Sequence, residues 1–175
     1  LPLRGHSNVQ GVGSMGVTPV LKPPILKALE ERLGLTLPVD PGMDTMACME
    51  AADRGEIDLA ICLGGNLFAS NPDLAFASRA LRKVKLVTHL STTTNTGHCC
   101  GLGRETLVLP VRARDEESQT TTQESMFNFV RVSDGGPSRH AGPRAEVDLV
   151  CELGERILDG GSLDWTDLRD HDRIR

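Results

Sequence analysis

The sequence has few aromatic residues and no long apolar segment. Aromatic side chains make up 3% of the 175 residues, tyrosine is absent and tryptophan occurs once. Base-stacking surfaces for single-stranded nucleic acid are therefore not expected. No stretch approaches the roughly 20 apolar residues that span a bilayer, and the N-terminus lacks the charged and apolar regions of a secretory signal. These absences argue against a nucleic-acid-binding protein and against a membrane protein.

The five cysteines do not have the spacing of a common metal site. None of them belongs to a Cys-x-x-Cys pair, which is typical of zinc and iron–sulfur ligands. We expect Cys48, Cys62 and Cys151 to be buried as small apolar side chains. Free thiols fit a reducing compartment, so we expect a cytoplasmic protein. The net charge of −5 argues against an anionic partner such as nucleic acid or a membrane surface.

The length suits one domain with a substantial core. We expect a single α/β domain over residues 1–175, with a ligand-facing loop over residues 1–20 and a flexible connector over residues 133–143. The chain begins with Leu1 rather than methionine, so we expect it to be an excised piece of a longer protein.

The apolar pattern alternates between helices and short strands. Proline, aspartate and glycine at helix boundaries, together with helical periodicity, predict helices over residues 25–34, 44–54, 72–83 and 144–158. Continuous apolar runs predict a strand covered on both faces over residues 59–63 and a second buried strand over residues 85–90. Residues 106–110 are predicted to form a third strand, and alternation predicts a half-exposed fourth strand over residues 127–132. Residues 92–103 are predicted to be a polar loop.

This order of elements predicts a Rossmann-like α/β fold, a mostly parallel sheet with helices on both faces. Ligands of such sheets bind beyond the carboxyl ends of the strands. We therefore expect a candidate rim formed by residues 64–73, residues 89–98 and the residues around Pro110.

The first 19 residues are rich in glycine and in polar side chains. Arg4, His6, Asn8 and Gln10 lie among four glycines, with no hydrophobic periodicity. Glycine lets the backbone turn sharply and approach a ligand closely, so the segment predicts a ligand-contacting loop. The bidentate guanidinium of Arg4 suits a carboxylate or a phosphate. A solvated surface arginine and a solvent-facing His6 are the alternatives.

Two later segments offer polar groups at predicted strand ends. Gly64, Gly65, Asn66 and Ser70 follow the first strand, and the helix that begins near Pro72 has a positive pole for phosphate. A tight turn with capping residues is the alternative for this segment. Residues 89–98 are rich in hydroxyl groups, which suit a purine edge and a ribose. A plain polar loop is the alternative there, and His89 is a better ligand candidate than His98.

The acidic residues between the third and fourth strands are not expected to be catalytic. Glu116, Glu117 and Glu124 lie in a polar segment, where solvated carboxylates are the rule. Ser7 and Ser14 near His6 do not make a triad, because no third group is indicated that would orient the histidine.

Four segments resemble one enzyme family. The motifs RGHSNVQG, GGN…PD, ETLVLP and DW…IR occur in order between Arg4 and Arg175. They are similar to the molybdopterin oxidoreductases, and within these to the catalytic subunits of the formate-dehydrogenase type. The resemblance implies a fragment of such a subunit that binds bis-molybdopterin guanine dinucleotide with molybdenum or tungsten. The expected partners are the remaining domains of the parent subunit and a small substrate such as formate.

The resemblance also assigns roles to residues of this chain. Arg4 matches an arginine that lies beside the metal and orients the substrate, so it is the expected catalytic residue. Contacts with the cofactor are implied at Gly5, His6, Asn8, Gly64, Asn66, Ser70, His89 and Thr106. Trp165 is expected to be a packing anchor. No metal ligand is expected in this chain, and a [4Fe–4S] cluster is expected only in an N-terminal part that these residues do not include.

The chain also departs from the family pattern. Thr106 stands where the family commonly has an aspartate that reads the guanine edge, which weakens the guanine assignment at that position. The alternative function is a stand-alone nucleotide-binding module or a non-catalytic interaction module. An NAD-dependent dehydrogenase is disfavoured, because the sequence lacks the G-x-G-x-x-G fingerprint.

Overall fold

The computed structural model describes residues 22–34, 36–37, 39–40, 42–124, 130–158 and 163–174. Residues 43–113 and 140–146 form one unit. The described parts of residues 1–42, 114–139 and 147–175 form a second unit. The organisation of residues 1–175 as a single domain stays a prediction.

The helices and strands alternate over most of the described chain. In chain order they are α1 (Pro23–Leu33), α2 (Thr45–Arg54), β1 (Leu59–Leu63), α3 (Leu74–Leu81), β2 (Leu86–Ser91), α4 (Gly97–Cys100), β3 (Glu105–Pro110), β4 (Thr121–Glu124), β5 (Val130–Ser133), α5 (Glu146–Ile157) and α6 (His171–Ile174). Short 3-10 turns cover Arg114–Glu116 and Asp167–Arg169.

The first unit is built on a parallel sheet. Its three strands lie in the order β1-β2-β3, and both neighbouring pairs are parallel. Residues Cys62, His89 and Val108 lie side by side across the three strands. Helices flank this sheet, so the predicted Rossmann-like α/β class is confirmed.

Helix boundaries follow the signals in the sequence. Asp44 accepts a hydrogen bond at Oδ1 from the backbone N–H of Ala47 at 2.8 Å, and Gly55 ends α2 with a φ of 76°. A side-chain cap of this kind replaces one of the hydrogen bonds that the first helical turn lacks. Helix α3 ends at Leu81, two residues before the predicted end at residue 83.

Small side chains let the helices pack closely on one face of the sheet. The core joins residues of α2, of α3, of the turn after α3 and of β2, namely Met49, Ala52, Ala77, Ala80, Leu81, Val84 and Val87. Ala60 and Cys62 of β1 pack against this cluster. Because side chains alternate along a strand, residues 60 and 62 define the core-facing side of β1.

The prediction that β1 is covered on both faces is wrong. Leu59, Ile61 and Leu63, which alternate with the core-facing residues, are 52%, 51% and 57% exposed. The reason is that these side chains point away from the core, whereas Ala60 and Cys62 face it, so the helix packing described above covers only one face of the strand. The central strand β2 is buried over residues 87–90, as the apolar run predicts.

The second unit contains an antiparallel hairpin that the sequence analysis does not predict. β4 pairs with β5, and Thr121 lies opposite Ser133. Strand β5 begins at Val130, whereas residues 125–129 of the predicted fourth strand lie outside the described residues. Trp165 packs against Gly154 of α5, as its expected role as a packing anchor requires. Residues 134–143 of the predicted connector contain no helix or strand.

Three further expectations are corrected by the structure. Glu116 and Glu117 are buried rather than solvated, because Glu116 Oε1 accepts a hydrogen bond from Arg139 N at 3.0 Å and Glu117 Oε1 accepts one from Ser118 N at 2.9 Å. Cys48 is exposed, whereas Cys62 is half-buried and Cys151 is buried. The predicted loop over residues 92–103 contains the short helix α4.

In the described parts of the chain, no helix is long and apolar enough to cross a membrane.

Candidate functional site

The structure describes five of the nine predicted site residues. Arg4, Gly5, His6 and Asn8 lie outside the described residues, so their roles stay predictions. The other five all belong to the first unit, namely Gly64, Asn66, Ser70, His89 and Thr106.

A pair of glycines turns the chain at the carboxyl end of β1. Gly64 and Gly65 have φ angles of 63° and 67°, a region that favours glycine. The Gly64 N–H donates to Leu90 O at 2.8 Å, which ties the turn to β2. Apart from the neighbouring residues of the chain, no described atom lies within 4 Å of where a Cβ would stand on either glycine. The backbone of this turn is therefore open to a ligand.

Asn66 joins the loops that follow β1 and β2. Its Nδ2 donates to Thr96 Oγ1 at 2.8 Å, while its Oδ1 accepts from Ala69 N at 3.0 Å. A second link runs from Asn95 Nδ2 to Gly65 O at 2.9 Å. Both loops leave the carboxyl edge of the parallel sheet, and side-chain hydrogen bonds hold them together there. We call Gly64–Asn66 together with Asn95–Gly97 the carboxyl-edge loops.

Gly97 allows these loops to approach each other. A Cβ on Gly97 would lie 2.7 Å from Asn66 Oδ1 and 2.9 Å from Asn95 Oδ1. The Gly97 N–H donates to Asn95 Oδ1 at 2.8 Å. A side chain at this position would push against both amides, so glycine at position 97 lets them lie this close together.

Two histidines lie beside the second loop. The His89 and His98 ring centroids are 4.8 Å apart, with the rings tilted by 59°. Asn95 N donates to His98 Nδ1 at 2.8 Å, and the same ring nitrogen lies 3.3 Å from Asn95 O. His89 is only 7% exposed, and its buried Nε2 has no hydrogen-bond partner among the described residues.

Burial governs the protonation of His89. Desolvation lowers the pKa of His89 below its ordinary value, and the charge of nearby His98 lowers it further. The neutral imidazole is therefore the favoured form, and it has one polar atom left without a partner. Such a group can donate to or accept from a ligand without adding charge.

Ser70 and Thr106 lie away from the hydrogen bonds by which Asn66 joins the two loops. Ser70 is exposed in the turn before α3, and its Oγ donates to Leu67 O at 3.1 Å. Thr106 is the second residue of β3, and its Oγ1 accepts from Gly103 N at 3.0 Å. It therefore lies about 13 Å along the strand from Pro110 at the carboxyl end. The structure does not bring Thr106 to the carboxyl-edge loops.

The N-terminus of α3 already has an anionic partner. Asp73 Oδ1 accepts from Phe76 N at 2.9 Å, so a carboxylate of the chain occupies the helix start. A phosphate at this point would meet that negative charge. The hydrogen-bonding groups of the carboxyl-edge loops are uncharged amides and hydroxyls, which suit a purine edge and a ribose better than a phosphate.

The sequence analysis does not single out Asn95 and Thr96 as site residues. The available signal was their place in an Asn-x-Gly turn after a buried strand, where such residues commonly form turns. A metal site of three or more His, Cys, Asp or Glu side chains is absent from the described part of the chain.

The chain is related to oxidoreductases. It is 32% identical to an uncharacterized oxidoreductase of Mycobacterium tuberculosis over 185 aligned residues, which cover 99% of this chain and 23% of the relative. It is 33% identical to protein YdeP of Escherichia coli, covering 99% of this chain and 24% of the relative. A putative formate dehydrogenase of Staphylococcus haemolyticus is 33% identical over 91 residues, 47% of this chain and 9% of the relative. No family model matches the chain.

Two of these alignments cover almost all of this chain but only a small part of each relative. The chain spans about a quarter of the length of the curated relatives that it matches from end to end. It thus corresponds to one segment of these longer relatives.

Proposed function

We propose that the chain is part of a molybdenum or tungsten oxidoreductase resembling formate dehydrogenase. In this role it binds the guanine dinucleotide part of a bis-molybdopterin cofactor and presents Arg4 to the metal site. Formate is the expected substrate of the parent enzyme, and the chain alone has no turnover. The similarity to oxidoreductases, one of them named a putative formate dehydrogenase, supports this assignment.

One structural observation carries the proposal. The loops after β1 and β2 meet at the carboxyl edge of a parallel sheet and are joined by the Asn66–Thr96 and Asn95–Gly65 hydrogen bonds. This is the edge where open α/β sheets bind their ligands. Held loops keep hydrogen-bonding groups in place before a ligand arrives, which lowers the entropic cost of binding.

The residues at this edge fit the nucleotide end of the cofactor. The open Gly64–Gly65 backbone would approach the ligand, and Asn66 and Thr96 would contact the base or ribose through uncharged groups. His89 Nε2 supplies one unpartnered buried atom in the same unit. The bound cofactor would supply the two-electron redox chemistry, while the protein binds and orients it.

The opening segment provides the proposed link to the substrate. Arg4 would hold a carboxylate through its bidentate guanidinium, and Gly5, His6 and Asn8 would contact the pterin. These roles rest on the resemblance of the RGHSNVQG motif. Substitution of Arg4 by lysine in the parent enzyme should lower turnover and leave the metal content unchanged. Unchanged kinetics would contradict a role in orienting the substrate.

The proposed partner is the rest of the parent subunit. A parallel sheet is normally covered on both faces, yet Leu59, Ile61 and Leu63 of β1 are half exposed, and Leu107 of β3 on the same face is exposed as well. Relatives about four times as long contain the additional chain that such a face requires. We propose that further domains of the parent subunit cover this surface.

Calorimetry on the chain tests the nucleotide role. We expect GMP to bind more tightly than AMP or NAD, and Asn66→Ala to weaken GMP binding. Asp58→Ala is the control, because Asp58 precedes β1 at the opposite edge and its carboxylate pairs only with exposed Lys85 in the described structure. Equal binding of all nucleotides would favour a general nucleotide-binding module. No binding of any nucleotide would favour an interaction module.

A further inference from the structure

The β4–β5 hairpin of the second unit forms a small cleft. The residues of this cleft are separate in sequence from the carboxyl-edge loops. The cavity has a volume of about 140 Å³ and is lined by Arg114, Thr121, Gln123, Arg131, Val132 and Ser133. Cavities that hold drug-sized ligands are larger, roughly 300–1,000 Å³. The space suits a small ligand, or one group of a larger ligand.

Strand pairing explains why these polar side chains share one cleft. Thr121 lies opposite Ser133, and Gln123 lies opposite Arg131. Residues two apart on a strand project from the same face, and opposite residues on neighbouring strands are close. The hairpin thus places two hydroxyls, an amide and a guanidinium side by side. Arg114, from the 3-10 turn before β4, adds a second guanidinium.

The lining consists mainly of hydrogen-bond donors. Arg114 Nη1 donates to Gln123 Oε1, so the amide oxygen of Gln123 already has a partner and its N–H groups remain as donors. Each guanidinium has five N–H donors and can hold more than one partner. Thr121 Oγ1 is buried, and within the described residues it has no hydrogen-bond partner.

The charged side chains that line the cleft are both cationic. Two acidic residues close to Arg114 in sequence do not belong to the lining: Asp115 pairs with the Arg139 guanidinium, and Glu116 Oε1 accepts from Arg139 N. A cluster of donors with two positive charges is complementary to an oxyanion. In a chain with a net charge of −5, this is a local departure from the overall charge.

We propose that this cleft binds a small oxyanion, a phosphate or a carboxylate, either free or as one group of a larger ligand. Arg114 and Arg131 would provide the charge and the paired donors. Thr121 and Ser133 would complete the contacts through their hydroxyls. The buried Thr121 hydroxyl gains a partner when the oxyanion is bound. This site is independent of the nucleotide role proposed for the carboxyl-edge loops.

Anion titration followed by amide NMR of the 175-residue chain tests the proposal. Inorganic phosphate and acetate are added separately at constant ionic strength, and the Thr121 and Ser133 amide signals are monitored. We expect saturable shifts with at least one of the two anions, and the tighter one identifies the ligand class. Arg114→Gln and Arg131→Gln should each weaken binding about tenfold, the equivalent of one charge-assisted hydrogen bond.

Two further variants separate a specific site from general charge attraction. Arg156→Gln is the matched control, because Arg156 is an exposed arginine of α5 that pairs with Glu152; it should leave binding unchanged. Arg131→Lys keeps the positive charge but loses the two parallel N–H donors of the guanidinium, so it should weaken binding. This variant also provides the test if the Gln variants fail to fold. The proposal is overturned if neither anion saturates, if Arg156→Gln weakens binding as much as Arg131→Gln, or if Arg131→Lys binds like the unaltered chain.

Discussion

Asn66 donates from its side-chain amide to the Thr96 hydroxyl at 2.8 Å, across 30 residues of sequence. This hydrogen bond connects the loop after β1 with the loop after β2. Neutral hydrogen bonds of this kind contribute about 0.5–1.5 kcal/mol to stability. We expect Asn66→Ala and Thr96→Val each to destabilise the chain, and the double variant to cost less than the sum of the two.

Urea unfolding of the four proteins measures this coupling. The coupling energy from the double-mutant cycle should be about 0.5–1 kcal/mol. Ser78→Ala is a useful reference, since Ser78 Oγ donates to Cys100 O and does not involve either loop residue. Strict additivity of Asn66→Ala and Thr96→Val would mean that the two side chains do not hold the loops together in solution.

Gly64 and Gly65 both require the left-handed backbone region. For an L-residue other than glycine, this conformation costs roughly 1–2 kcal/mol, and the cost is smaller for asparagine. We expect Gly64→Ala and Gly65→Ala to destabilise the chain by that amount, and Gly64→Asn to cost less. No clash contributes, because the space around both positions is open.

Gly142→Ala provides the control for backbone strain. Gly142 also has open space around it, but its φ is not in the left-handed region. Substitution there should be neutral or slightly stabilising, because alanine restricts the unfolded chain. Thermal unfolding of the four variants distinguishes the cases. Equal midpoints for Gly64→Ala and Gly142→Ala would show that the glycine turn is not left-handed in solution.

The sequence predicts the first unit well because its signals are local. The cap at Asp44 and the stop at Gly55 bound α2 without reference to the rest of the fold. The short apolar run over residues 59–63 also predicts β1, but it does not reveal which side chains meet a partner. Coverage of Leu59 and Leu63 depends on which elements pack on that face of the sheet, which is a long-range property.

The hairpin and the candidate site also depend on contacts between residues far apart in sequence. β4 consists of Thr121–Glu124, a polar segment without alternating apolar residues, and only its pairing with β5 defines it as a strand. Asn66 could be found because it follows a glycine pair at a strand end. Its partner Thr96 could not, because the hydrogen bond joins residues far apart in sequence. The position of Thr106 near the start of β3 likewise depended on exact strand bounds.

The contact between Gly154 and Trp165 leaves no room for a side chain. A Cβ on Gly154 would lie 2.6 Å from Trp165 Cε2, well inside a normal contact. Overpacking costs typically 1–3 kcal/mol, and the helix propensity of alanine offsets up to about 1 kcal/mol. We expect Gly154→Ala to be destabilising by about 1–2 kcal/mol in urea unfolding.

A second substitution identifies the cause of that effect. In the Trp165→Leu background the indole is absent, so Gly154→Ala should become neutral or stabilising. The Trp165→Leu variant itself loses packing and sets the reference. If Gly154→Ala costs the same with and without the indole, the contact with Trp165 is not the source of the destabilisation.

His89 makes stability depend on pH. Burial lowers the pKa of His89 in the folded chain below the value of about 6.5 for an unfolded one. The unfolded chain therefore binds this proton more readily, and folding stability falls as pH drops from above 6.5 toward the lowered pKa. We expect the urea midpoint to decrease between pH 7.5 and pH 5.5, and His89→Gln to reduce that decrease. An identical pH dependence in both proteins would exclude His89 as its source.

The half-exposed face of β1 distinguishes the fragment from its proposed parent subunit. Ile61 is 51% exposed, while the adjacent Ala60 packs against the core from the opposite face of the strand. In the 175-residue chain, Ile61→Lys should change the free energy of unfolding by no more than about 0.5 kcal/mol, as surface substitutions generally do. Ala60→Lys is the matched control, and it should be strongly destabilising because it forces a charge toward the core.

The same pair of substitutions in the polypeptide encoded by the complete source gene tests whether this face is covered. If further domains pack on β1, Ile61→Lys buries an unpaired charge, and its cost should approach that of Ala60→Lys, on the order of 3–5 kcal/mol. Denaturant unfolding of both proteins gives the comparison directly. A substitution at Ile61 that stays neutral in the longer protein would show that the face remains exposed, and the proposed packing of parent domains on β1 would be wrong.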